Sequence, residues 1–301
     1  MSFDESLIRR LKNVHSYTVT PFKSNDLFDL DLDALGANIE FQLDRGVQVI
    51  AVGGGTGEIE ALTPAELEQI TSAALRVAGD RALVTACVPG NFGQAALLLR
   101  QYRQMGVRVV LAMPPLVRAR IPDDLEGVFD YYRLLAEASE VPLMPYNTQG
   151  WPAEFIVRLG EIGRIIGVKD PCQGPHEFFK AIKRLGDRFV WIGNKQHDPG
   201  VLQFRYQMGM EGFTSGQTNF LPENELAMHR ASLKKDWATM MALQEKVAPL
   251  ERLRLAHDDA AMVKAAMDTV GLVGGQVRPP RRDVSAAGRT ELERVMRALT
   301  S

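Results

Sequence analysis

The chain has 301 residues, 46% hydrophobic and 24% charged, with 35 Lys and Arg against 37 Asp and Glu for a formal net charge of −2. That balance argues against nucleic acid or an anionic membrane as the main partner, and the basic stretches 118–120 and 278–282 are short and broken by Ala or Pro. No run approaches the roughly 20 apolar residues of a membrane span. The first ten residues lack an apolar signal core, and the only cysteines are Cys87 and Cys172, so a cytoplasmic, reducing setting is expected.

Along the chain, short β-branched runs alternate with longer amphipathic segments, the pattern of βα units on a parallel sheet. Strands are predicted over residues 14–22, 47–53, 83–88, 107–113, 143–147, 165–169, 189–193 and 212–215. Helices are predicted between them, among others over 32–45, 64–78, 92–105 and 125–138. Thr63-Pro64-Ala65-Glu66 marks one helix start, with a Thr N-cap, Pro at the first helical position and Glu three residues on. Eight strands with seven crossovers predict a (β/α)₈ TIM barrel; a doubly wound sheet normally has fewer strands. From Pro222 onward no strand pattern returns, and helices are predicted over 223–232, 237–255, 258–270 and 285–299. The expected organisation is a barrel over residues 1–222 carrying the active site and a C-terminal helical module over residues 223–301.

Three features fall at the C-terminal ends of predicted strands, where barrel active sites are built. After the second strand comes Gly53-Gly54-Gly55-Thr56-Gly57-Glu58. Such a loop can aim backbone N–H groups at a carboxylate or phosphate; the plain alternative is a flexible turn. Lys169 ends the apolar run of the sixth strand. A lysine there, kept neutral, is the residue type that attacks a carbonyl to form an imine; the alternative is a rim lysine paired with Asp170. Tyr146-Asn147 ends the fifth strand, one βα unit earlier, where a phenol can shuttle protons beside an imine lysine. Singly, such a tyrosine is more often a packing residue. The five histidines form no HExxH and have no companion CxxC, so neither a metal nor another cofactor is expected.

Thr18-Val19-Thr20-Pro21-Phe22, Gly54-Gly55-Thr56-Gly57-Glu58, Tyr146-Asn147, Gly167-Val168-Lys169-Asp170 and the 212–222 region, taken in order, resemble the dihydrodipicolinate synthase / N-acetylneuraminate lyase family of class I lyases and aldolases. The resemblance implies a barrel with C-terminal helices, assembled as a homotetramer or homodimer, that forms a Schiff base between Lys169 and a 2-keto acid. It implies that Gly55 and Thr56 hold the acid's carboxylate, that Tyr146 shuttles protons, and that Thr20, Thr214 and Ser215 contribute to substrate binding. Dihydrodipicolinate synthases have a second loop threonine where this chain has Gly55, an arginine where it has Trp151, and a tyrosine where it has Leu116. The Gly54-Gly55-Thr56-Gly57-Glu58 form and the 213–222 segment more closely resemble the branch that dehydrates keto-deoxy sugar acids.

The expected function is a Schiff-base lyase acting on pyruvate or a 2-keto-3-deoxy sugar acid. The iminium acidifies C3; loss of a C4 hydroxyl gives a dehydratase, and breaking C3–C4 gives an aldolase. The alternatives are condensation of pyruvate with an aldehyde, as in 4-hydroxy-tetrahydrodipicolinate synthase, and a keto-acid-binding homologue with weakened catalysis. Four other residues receive plainer readings: Cys172 as an incidental thiol, His197 as a loop histidine, Lys195 as a solvated rim lysine, and Glu58 as an orienter of the glycine loop.

Overall fold

The computed structural model describes residues 3–171, 174–195 and 197–300. Eight parallel strands form the barrel: β1 Val14–Tyr17, β2 Val49–Val52, β3 Leu83–Val88, β4 Val109–Ala112, β5 Leu143–Pro145, β6 Gly167–Asp170, β7 Val190–Asn194 and β8 Gly212–Ser215. Their order in the sheet is β5-β4-β3-β2-β1-β8-β7-β6. Bridges between Leu143 and Ile165 and between Tyr146 and Lys169 draw the two ends together, and Asn147 N donates to Lys169 O at 2.8 Å. Almost every strand residue is buried on both faces, as expected where helices cover a parallel sheet.

The helices before the last barrel strand are α1 Glu5–Leu11, α2 Leu32–Asp44, α3 Pro64–Ala78, α4 Phe92–Gln104, α5 Leu125–Ala138, α6 Ala153–Leu159, α7 Pro175–Leu185 and α8 Val201–Met208. The N-terminus of α3 is a full capping box: Thr63 Oγ1 accepts from Glu66 N at 3.2 Å and Glu66 Oε2 accepts from Thr63 N at 2.8 Å. No helix among the described residues is long and apolar enough to cross a membrane.

The first predicted strand is the main departure. It ends at Tyr17, and Phe22–Lys23 instead pairs antiparallel with Asp26–Leu30 in a separate ribbon. The reason lies in where the backbone donors go: Val19 N donates to the Asn219 side chain at 3.3 Å, and Pro21 has no N–H to give.

Past residue 221 lie α9 Pro222–Leu233, α10 Trp237–Ala256, α11 Asp259–Asp268 and α12 Ala286–Thr300. Leu250, Met262, Val263, Val284 and Leu292 from this part form a second apolar cluster, which also buries Val19 and Phe220. The C-terminal helices therefore pack on the end of the barrel where β1 and β8 finish.

Candidate active site

A cavity of about 390 Å³ opens at the C-terminal ends of the strands. Tyr17 reaches it from β1, Gly55 and Thr56 from the loop after β2, Tyr146 from just past β5, Lys169 from β6, and Thr214 and Ser215 from β8. Arg254 of α10 and Asp259 of α11 form part of its far wall.

Lys169 is 5% exposed. Its Nζ stands 3.8 Å from the centroid of the Tyr17 ring and 4.0 Å from that of Tyr146. No carboxylate or hydrogen-bond acceptor pairs with it among the described residues. The alternative pairing with Asp170 is not what the strand builds, because successive strand residues point to opposite faces. Asp170 instead accepts from Asn147 Nδ2 at 2.6 Å. What faces the ammonium is two aromatic faces, an attraction of about 2 kcal/mol when desolvated.

The glycine loop folds tightly over this lysine. Ile59 N and Glu58 N donate to the carbonyls of Gly54 and Gly55, both at 3.1 Å, and Gly53 takes φ +66°. A Cβ on Gly54 would lie 2.5 Å from Tyr17 Cδ1, so the loop closes on the Tyr17 ring only with glycine there. Among the described residues the N–H groups of Gly55 and Thr56 make no hydrogen bond, which leaves them available to an anion in the cavity.

Thr20 does not line the cavity. It is buried, and its hydroxyl donates to Gly57 O at 2.7 Å, so it pins the loop from behind. Thr214 donates to Asn194 Oδ1 at 2.8 Å, and Ser215 Oγ accepts from Gln217 N at 3.1 Å. The structure thus brings Lys169, Tyr146, Gly55, Thr56, Thr214 and Ser215 to one cavity and leaves Thr20 outside its lining.

Lys195 corrects the sequence reading. It is not a solvated rim residue but 3% exposed, with Nζ 2.7 Å from Glu251 Oε1, 2.9 Å from Glu225 Oε1 and 2.8 Å from Gln217 Oε1. The chain after β7 drops between α9 and α10, whose acids meet it there. Burial pushes the Glu251 carboxyl up, but Lys195 and Arg254 outweigh it and hold it below the usual range. Arg254 bridges onward, at 3.0 Å to Glu251 Oε2 and 2.7 Å from its Nε to Asp259 Oδ1.

Glu58 is also corrected. Its carboxylate turns away from the glycine loop, with Oε1 2.6 Å from buried Lys264 Nζ and Oε2 accepting from Arg278 N at 2.8 Å. It fastens the loop to the C-terminal segment. Burial lowers the Lys264 pKa against the opposing pull of Glu58. His197 lies at the cavity wall, 3.5 Å from Asp198. Cys172 falls outside the described residues. Cys87, beneath Tyr17, is fully buried and pushed up to about 12, so it holds its proton.

Trp151 and Leu116 stand apart from the cavity. Trp151 is buried edge-to-face against Tyr132 and Phe155, while Leu116 is 55% exposed. Among the described residues, no group of three or more His, Cys, Asp or Glu could hold a metal ion. The arrangement can bind a small anion by its carboxylate and attack its carbonyl with a buried amine between two phenols.

Residues 10–299 match the sequence profile of the Dihydrodipicolinate synthetase family. The chain is 28% identical over 287 residues to 4-hydroxy-tetrahydrodipicolinate synthase of Methanosarcina mazei, covering 93% of this chain and 96% of that one. It is 26% identical over 288 residues to an Oceanobacillus iheyensis protein named "Probable 5-dehydro-4-deoxyglucarate dehydratase", covering 93% and 92%. The crystal structure of dihydrodipicolinate synthase from Oceanobacillus iheyensis superposes with a TM-score of 0.90 at 25% identity, covering 98% of both chains.

Proposed function

The chain belongs to the dihydrodipicolinate synthetase family of Schiff-base lyases, and from that premise we propose that Lys169 forms an imine with a 2-keto-3-deoxy sugar acid and drives its dehydration or cleavage. One observation carries the assignment: a buried lysine with no acid partner, held between two phenol rings at the floor of the cavity.

In this reading the N–H groups of Gly55 and Thr56 and the Thr56 hydroxyl hold the substrate's C1 carboxylate. Lys169 Nζ adds to C2. Tyr146 moves the proton from nitrogen to the carbonyl oxygen, and later serves the C4 hydroxyl. The carbinolamine loses water to give the protonated imine, which draws electrons from C3 as a tyrosine oxygen of the site takes a C3 proton. The enamine then either expels the C4 hydroxyl, which leaves as water with a proton from Tyr146, or has arisen by breaking C3–C4. Thr214 and Ser215, on the β8 wall, meet the substrate's further hydroxyls.

A hydroxylated acid suits this wall of hydroxyls and amide, lined further by Lys195, Arg254 and Arg281 together with the acids Glu251 and Asp259, which pair with Lys195 and Arg254. Condensation of pyruvate with an aldehyde is the second reading, favoured by the similarity to the Methanosarcina mazei synthase. A homodimer or homotetramer is proposed as well, on exposed Leu116, Val117 and Ile121, apolar side chains that an isolated chain leaves in water.

The test is a panel of 2-keto-3-deoxy sugar acids, assayed in parallel for loss of water and for release of pyruvate, with pyruvate plus aldehydes as the third arm. Turnover of a sugar acid above any condensation supports the reading. Condensation alone would replace it with the synthase, and adduct formation without turnover in any arm would leave a keto-acid-binding protein.

A further inference from the structure

We infer that Tyr17 is a second catalytic phenol of this site, giving its proton to the hydroxyl that leaves the lysine adduct. The inference rests on the lysine-imine reading and goes beyond it, since Tyr17 sits on a different strand from every residue assigned a chemical step above.

Four observations meet at this side chain. Its ring is the nearer of the two that face Lys169 Nζ, at 3.8 Å from the centroid against 4.0 Å for Tyr146. It lines the cavity yet is only 3% exposed. Its hydroxyl is buried and has no hydrogen-bond partner among the described residues. The loop has glycine at position 54, where a Cβ would strike the ring at 2.5 and 2.7 Å.

A buried hydroxyl without a partner costs stability that phenylalanine would avoid in the same space. Of the other hydroxyls of the cavity, Thr214 gives its proton to Asn194 and Ser215 accepts from Gln217 N, while Thr56 and Tyr146 have the carboxylate-binding and shuttle roles given above. Gly55 and Leu116 supply none. Burial, with Cys87 and Tyr146 as neighbours, pushes the Tyr17 phenol well above its ordinary value, so it enters the reaction protonated.

The step closes in atoms and electrons. Lys169 Nζ adds to C2, and a proton passes from nitrogen to the carbonyl oxygen, leaving a carbinolamine. The nitrogen lone pair then forms C=N as the C2–O bond breaks, and the departing hydroxide takes the Tyr17 proton and leaves as water. The phenolate is formed against the new iminium cation. It regains a proton from C3, whose bonding pair becomes the enamine double bond while the C=N pair returns to nitrogen. Amine and ketone have become enamine and water, and Tyr17 ends as it began.

The experiment compares wild type, Tyr17→Phe and Tyr17→Leu with pyruvate in D₂O. NMR follows exchange of the C3 protons, and borohydride trapping with peptide mapping follows the adduct. Tyr17→Phe keeps the ring and is expected to fold, to bind pyruvate with a KM within about threefold and to form the Lys169 adduct at equilibrium. Its C3 exchange rate should fall on the order of 100-fold. Tyr17→Leu should lose adduct yield as well, having lost the aromatic face. Exchange by Tyr17→Phe within about threefold of a labelled wild type would overturn the inference alone, leaving Tyr17 as an aromatic support and the imine reading intact. A Tyr17→Phe protein that fails to fold would also overturn it, by making the hydroxyl structural. A wild type with neither adduct nor exchange would overturn both.

Discussion

Two lysines one strand apart meet the same cavity and are equally buried, Lys169 at 5% and Lys195 at 3% exposure, yet their surroundings are opposite. Lys195 is clasped by Glu225, Glu251 and Gln217. Lys169 has aromatic faces and, among the described residues, no acid. A lysine clasped by carboxylates is held in ion pairs and braces α9 and α10 against the barrel. A lysine without them has no acid to hold it away from a carbonyl in the cavity. On the proposed reading, the contrast separates a structural lysine from a reactive one more sharply than burial or position in the strand does.

Exchanging each lysine for methionine should break the pair in different currencies. Lys169→Met should lower turnover by on the order of 10⁴-fold or more, as loss of a covalent nucleophile does. Calorimetry should find its Tm close to that of the wild type, since no ion pair is lost and the methionine thioether keeps contact with the two rings. Lys195→Met should instead destabilise by about 3–5 kcal/mol in urea unfolding, because it leaves buried Glu225 without its ammonium partner while Glu251 keeps Arg254. Equal losses of stability in the two variants would erase the distinction.

Lys264 offers a third case. It is 1% exposed and paired with Glu58 at 2.6 Å, so Glu58→Gln should cost about 1–3 kcal/mol. Because Glu58 also anchors the glycine loop, the same change should raise KM for the keto acid more than it lowers kcat.

Each side of the comparison also holds one buried histidine. His15 lies inside the barrel near Lys169, and His229 is on α9, with Nδ1 2.7 Å from Tyr206 Oη. Burial lowers both to about 4. As pH falls through 6.5 the unfolded chain takes up these protons, while the folded protein refuses them until near 4. Stability should therefore fall with pH across that window, by about 1.4 kcal/mol per unit for each histidine. Urea midpoints at pH 7, 5.5 and 4.5 check this, and a flat profile would contradict it.

Much of the barrel was legible because βα alternation is a local signal, and strand ends mark where chemistry sits. Lys169, Tyr146 and the Gly55-Thr56 loop were visible for that reason. Tyr17 was not singled out, because it merged into a β-branched run that reads as one strand and in fact stops there. Lys195 was misread because Asn194-Lys195-Gln196-His197-Asp198 looks solvated, and its acids arrive only when α9 and α10 fold over it. Arg254 and Asp259 carry no motif; the packing of the C-terminal helices alone brings them to the cavity.

The central claim, that the acid-free lysine is the reactive one, is tested most directly by borohydride reduction in the presence of pyruvate, with intact mass and peptide mapping. The account predicts one stable adduct on Lys169, lost in Lys169→Ala and retained in Lys195→Met. An adduct on Lys195, or none with pyruvate or any longer 2-keto acid, would contradict it.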